Sequence, residues 1–223
     1  DVTAKQLEPL LEKYIASIPA TTEKEHWKDN SVNWIRDNTD KDIYLPMQDA
    51  KTSVKIAIKN EMPYTLKNAY LMSILGDILT LRYTQSLREE EGGTYGARSN
   101  GALSKKPVSR ASLGVSFDCN PDLAEKLISI VYKEIDLIKN GSIQQNDLDK
   151  VLTNFLKERE ESKSSNRYDM SAMQTLILEG YNRTESKNFE DIINSITTKD
   201  VQEITKKLLK NNKSYEVVFK PEK

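Results

Sequence analysis

Residues 86–101 read SLREEEGGTYGARSNG. Arg88 closes an apolar stretch, three acids follow, Gly92 and Gly93 break the chain, and Tyr95 opens the next segment seven residues after the arginine. Two readings fit this stretch. It is a helix stop followed by a strand start, or it holds a guanidinium and a phenol, both hydrogen-bond donors, at a fixed separation. Glu89, Glu90 and Glu91 lie where a helix dipole disfavours negative charge, which implies that other interactions hold the corner.

The remaining candidates for chemistry are few. A hydrolytic zinc site needs three protein ligands and an open position. The chain has a single histidine, His26, with no second His or Cys at ligand spacing and no H-E-x-x-H or H-x-x-E-H segment. A Ser-His-Asp or Cys-His arrangement would need that same histidine, and no G-x-S-x-G elbow accompanies it. Cys119, the lone cysteine, sits in apolar alternation and reads as a buried, inert thiol. Gly92, Gly93, Gly96 and Gly101 follow a helix and precede a strand, the reverse of the order in which a phosphate cradle is built. No metal ligands are expected in this chain.

Charge excludes further classes. The 33 Lys and Arg balance 34 Asp and Glu to a net charge of -1, and the signs are interspersed. That leaves no basic footprint for nucleic acid and no polybasic membrane patch. The most apolar region, Leu71 to Leu81, is too short to span a bilayer and contains Asp77. The sequence opens at Asp1 with no signal peptide and leaves the compartment, periplasm or cytoplasm, open.

The elements that must position the candidates follow from periodicity. Leu7, Leu10, Leu11, Tyr14, Ile15 and Ile18 predict a leading amphipathic helix stopped at Pro19. Residues 20–50 read as a connection with one or two short strands. Val54, Ile56 and Ile58 alternate with Lys55 and Lys59 as a half-buried strand. A well-buried helix is expected over Leu66–Leu87, then strands over Tyr95–Gly101 and Arg110–Cys119 joined as a hairpin. Asn120-Pro121-Asp122 starts a helix that ends at Asn140-Gly141, and Ser142 with Gln145 predicts a capping box for the next one. Mixed charges from Lys157 to Lys163 read as that helix's wet face. Further helices are expected over Arg167–Leu178, Phe189–Ile196 and Lys199–Leu209, the last capped by Thr197 or Thr198. Tyr215, Val217 and Phe219 close the chain as a strand. The fold class is α+β, a mixed, largely antiparallel sheet with helices packed on one face around a β-α-β-β-α-α core. The chain reads as one domain, 1–223, with the leading helix at 1–19, the connection at 20–50 and the main body at 51–223.

In this order, Leu75-Gly-Asp-Ile-Leu-Thr-Leu-Arg82, Leu87-Arg88-Glu89, Glu91-Gly-Gly-Thr-Tyr-Gly96, a hairpin and a helix pair resemble the pitrilysin/insulinase-type zinc metallopeptidases. The likeness is to the C-terminal half-domains that lack the zinc motif. The resemblance implies a metallohydrolase-like half-domain that forms part of a longer chain and is inactive alone. It would complete the cleft of a zinc-dependent endopeptidase whose zinc and H-x-x-E-H motif lie in a catalytic half, on the same polypeptide or a separate subunit. It also implies accessory catalytic roles for Arg88 and Tyr95, as donors to bound peptide and to the tetrahedral intermediate, with Gly92, Gly93 and Thr94 as substrate-binding backbone. The other function compatible with the resemblance is a non-catalytic scaffold or peptide-docking subunit.

Overall fold

The computed structural model describes residues 2–20, 28, 30, 37–48 and 50–222. The chain divides into two compact units, Asp1–Asn33 and Trp34–Lys223. In the first, helix α1 (Ala4–Leu11) starts at a capping box formed by Thr3 and Gln6 and continues as a π-helical turn, Glu12–Ala16. His26 lies outside the described residues.

The second unit contains β1 (Thr39–Leu45), β2 (Thr52–Glu61), α2 (Leu66–Tyr83), β3 (Thr94–Ser104), β4 (Arg110–Cys119), α3 (Ala124–Lys139), α4 (Gln145–Ser162), α5 (Asn166–Glu179), α6 (Glu190–Asn194), α7 (Thr198–Leu209) and β5 (Lys213–Pro221). The strand order is β1-β5-β2-β4-β3. Strand β1, which falls within the expected connection, pairs parallel with β5, and the other pairings are antiparallel. This is the mixed, largely antiparallel sheet that the alternation predicts.

The core lies between the sheet and the helices. Val54, Ile56 and Ile58 of β2 and Val115 and Phe117 of β4 are buried with Met72, Leu75, Ile78 and Leu79 of α2 and Leu127 and Val131 of α3. Helix α2 starts at Thr65, whose hydroxyl accepts the Asn68 amide at 3.0 Å. Its approach to edge strand β3 is unusually close, because Gly76 meets Gly101: a Cβ at Gly101 would overlap the Met72 carbonyl. The short distance lets Thr80 Oγ1 accept the Ser99 amide at 3.0 Å, so the helix satisfies a backbone group that an edge strand would otherwise expose.

One expected helix start differs. Ser142 does not cap α4: its amide donates to the Leu137 carbonyl at 2.9 Å, so it completes the end of α3. Helix α4 instead has Gln144 as N-cap, with no side-chain cap bond. The helix expected over Phe189–Ile196 is the shorter α6, with Phe189 at its N-cap and a 3₁₀ turn, Ser186–Asn188, ahead of it. At α7, Thr197 is the cap and forms a capping box with Asp200.

Candidate functional site

The corner that carries Arg88 and Tyr95 is built from the end of α2. Beyond Tyr83 the helix widens into a π-helical turn, Thr84–Glu90. Tyr83 and Leu87 anchor it in the core, and the Tyr83 hydroxyl donates to the Val131 carbonyl at 3.3 Å. The turn then closes on two backbone bonds: Gly92 N–H to the Arg88 carbonyl and Gly93 N–H to the Leu87 carbonyl, each 3.1 Å. Gly92 adopts φ +59°, a left-handed conformation that glycine takes without strain. Gly93 is needed for a different reason, since a Cβ there would come within 2.9 Å of the Leu127 methyls. The acid run is tied down by an ion pair between Glu91 and Lys126 of α3. Past the glycines, Thr94 Oγ1 accepts the Gly96 amide at 3.2 Å, and the β3–β4 register shifts between Thr94 and Ala97. That irregularity is a β-bulge, a device that re-aims a strand residue.

The two halves of the predicted set separate by exposure. Arg88 is exposed and Tyr95 is 100% exposed, whereas Gly93 and Thr94 are buried and only Gly92 of the three is open to solvent. Neither the Arg88 guanidinium nor the Tyr95 hydroxyl has a hydrogen bond or ion pair among the described residues, so both keep their full donor capacity. Neither lines the neighbouring cleft of about 410 Å³, whose walls include Arg82, Gln85, Glu90, Glu134 and Asp147. In that cleft Arg82 is already committed, 3.1 Å from Glu134 and bonded to the Ser142 carbonyl.

Cys119 is buried at the end of β4, and burial, with the adjacent Asp118 carboxylate, pushes its thiol up to about 11. At pH 8 only about one thiol in a thousand would then be thiolate. Iodoacetamide at pH 8 should leave the native chain more than about nine-tenths unmodified over an hour and label it fully in urea; rapid native labelling, followed by mass spectrometry, would refute the inert assignment. Among the described residues no group of three or more His, Cys, Asp or Glu could hold a metal ion. No described helix is long and apolar enough to cross a membrane.

The mixed-charge end of α4 is not a wet face throughout. Arg159 is buried, 3.6 Å from Glu190, and lies over the Tyr168 and Phe189 rings at 4.8 and 4.6 Å. It joins α4 to α5 and α6, a role that local charge pattern does not reveal.

The fold and the corner describe an α+β half-domain that presents donors and, among the described residues, shows no cluster of metal ligands. Comparison with known proteins agrees with that class. The sequence model for the family described as Peptidase M16 inactive domain matches residues 1–155, and the chain belongs to this family. It is 27% identical over 153 residues to a probable zinc protease PqqL of Haemophilus influenzae, covering 68% of this chain and 16% of that protein. A zinc protease PQQL-like protein of Arabidopsis thaliana is 24% identical over 146 residues, covering 62% of this chain and 15% of that protein. The chain therefore spans about a sixth of these relatives. Among solved structures, the periplasmic protease PqqL of Escherichia coli superposes with TM-score 0.79 at 16% identity, over 100% of this chain and 24% of that one. The ferredoxin protease FusC, solved as a mutant in complex with Arabidopsis ferredoxin, gives TM-score 0.77 at 20% identity, again over 100% and 24%.

Proposed function

We propose that this chain is the substrate-binding, cleft-completing half of a zinc-dependent endopeptidase, paired with a zinc-binding half and acting on peptide. What supports the reading is that Arg88 and Tyr95 flank one glycine turn, both exposed, with every side-chain donor unspent. Burying or pairing them would have used those donors. A guanidinium and a phenol held on a rigid corner can donate to a peptide carbonyl and, more strongly, to the oxyanion that forms from it. Gly92 offers backbone to the bound peptide, while Gly93 and Thr94 act by setting the turn.

In the intact protein, Arg88→Ala and Tyr95→Phe should each lower peptide turnover by roughly tenfold to a thousandfold, by analogy with oxyanion donors, whose removal costs about a hundredfold to a thousandfold. Neither change should alter zinc content or the melting temperature. Unchanged kcat/KM in both variants would leave the corner as a turn alone and favour a scaffold or peptide-docking role.

A further inference from the structure

The sheet has two faces of different character. Val54, Ile56, Ile58, Val115, Phe117 and Val218 turn toward the helices and are buried. The opposite face carries Lys41 of β1, Lys55 of β2, Ser116 of β4 and Arg98 of β3, all exposed. Register places them in a single row. Lys41 is level with Val217, Val217 with Lys55, Lys55 with Ser116, and Ser116 with Arg98. In the order β1-β5-β2-β4-β3 the three cations therefore fall on alternate strands. With neighbouring strands about 4.8 Å apart, they recur about every 10 Å along a line that crosses the whole sheet.

None of the three is in an ion pair among the described residues. Lys55 Nζ lies 5.6 Å from the centroid of the Phe219 ring, on the same face. Of the acids near the row, Asp118 is taken by Lys51 at 2.7 Å and by Ser53 Oγ at 2.5 Å. Asp40, Asp42 and Glu216 belong to the other face, where they line a cleft with Glu125 of α3. Beside the row the face carries the small residues Ala57 of β2 and Gly114 of β4, and on β5 the larger Val217, Tyr215 and Phe219.

We infer that this row is a docking surface for an acidic polypeptide segment in extended conformation. An extended chain in the polyproline II conformation advances about 3.1 Å per residue with three residues per turn, so carboxylates three residues apart share one face at about 9 Å spacing and meet the cations one for one. The match concerns charge spacing and needs neither Arg88, Tyr95 nor catalysis, so it goes beyond the proposed function and fails or stands separately from it. A nucleic acid fits less well. The chain's net charge is -1, and the aromatics of this face, Phe219 and Tyr215, have lysine ammonium groups over their rings.

The test is fluorescence anisotropy on the intact protein with three labelled probes: a twelve-residue peptide bearing Asp at every third position, its Asn counterpart, and a twelve-nucleotide oligothymidylate. The Asp peptide should bind, and its Kd should rise about tenfold or more between 50 and 300 mM NaCl as screening shortens. Charge reversal in Lys41→Glu/Lys55→Glu/Arg98→Glu should weaken binding by about tenfold or more. The neutral variant Lys41→Gln/Lys55→Gln/Arg98→Gln, which leaves an exposed surface and an undisturbed core, should show an intermediate loss. Equal binding of the Asp and Asn peptides, no effect of the neutral variant, or preferential binding of the oligothymidylate would overturn the proposal.

Discussion

Truncating Arg159 to alanine should destabilise the protein by about 3–5 kcal/mol, the range for removing one partner of a buried ion pair. The side chain is only 4% exposed, and its loss leaves Glu190, itself mostly covered, with only Lys163 at 3.7 Å. It also removes a guanidinium bonded to the Arg183 carbonyl and packed on two aromatic rings. For a domain of this size each kcal/mol moves the melting temperature by about 2–4 °C, so calorimetry should record a fall of roughly 6–20 °C. Arg159→Met should cost visibly less, because it refills the space between Tyr168 and Phe189 without a charge. A shift under about 3 °C for the alanine variant would mean that the ion pair and the ring contacts contribute little, and that α5 and α6 are held by other packing.

Gly101→Ala should cost about 3 kcal/mol, large for the addition of one methyl group. The new Cβ would fall on the Met72 carbonyl, a backbone atom in the middle of α2 that cannot swing aside as a side-chain end could. Relief requires β3 to move off the helix, which also breaks the Thr80–Ser99 bonds at 3.0 and 3.2 Å. Gly96→Ala is the matched control on the same strand: nothing lies within 4 Å of its Cβ, and the change should stay within about 0.5 kcal/mol. Urea titrations of the two variants should separate their midpoints clearly. Coincident midpoints would show that the helix–strand contact yields at low cost.

Because β3 runs from the Arg88–Tyr95 corner to Gly101, loosening the contact with α2 should also reach the corner. Reduced activity in Gly101→Ala is therefore expected to follow its stability loss, whereas Arg88→Ala and Tyr95→Phe should separate activity from stability.

The elements of the second unit were legible in the sequence where a single physical rule dominates. Alternation in Val54–Ile56–Ile58 marked β2, the dense apolar stripe marked α2, and Asn120-Pro121-Asp122 marked the start of α3. Ser142 misled because its spacing to Gln145 satisfies the capping-box pattern, while its backbone is consumed by the end of α3. Arg159 misled because a charged residue among charged neighbours has the same local signature whether it faces water or a pair of aromatic rings.

At the candidate corner, residue types and spacing marked Arg88, the two glycines and Tyr95 as a helix stop and strand start, since both are decided within a few residues, while the roles proposed for them come from the family resemblance. Which of them reach solvent was decided in three dimensions, by Leu127 against Gly93 and by the bulge between Thr94 and Ala97. The basic row is the clearest case. Lys41, Lys55 and Arg98 are far apart along the chain, and only strand register, set by the pairing of whole strands, brings them level. Local chemistry is written in the sequence; adjacency across a sheet is settled when the strands pair and bury their other face.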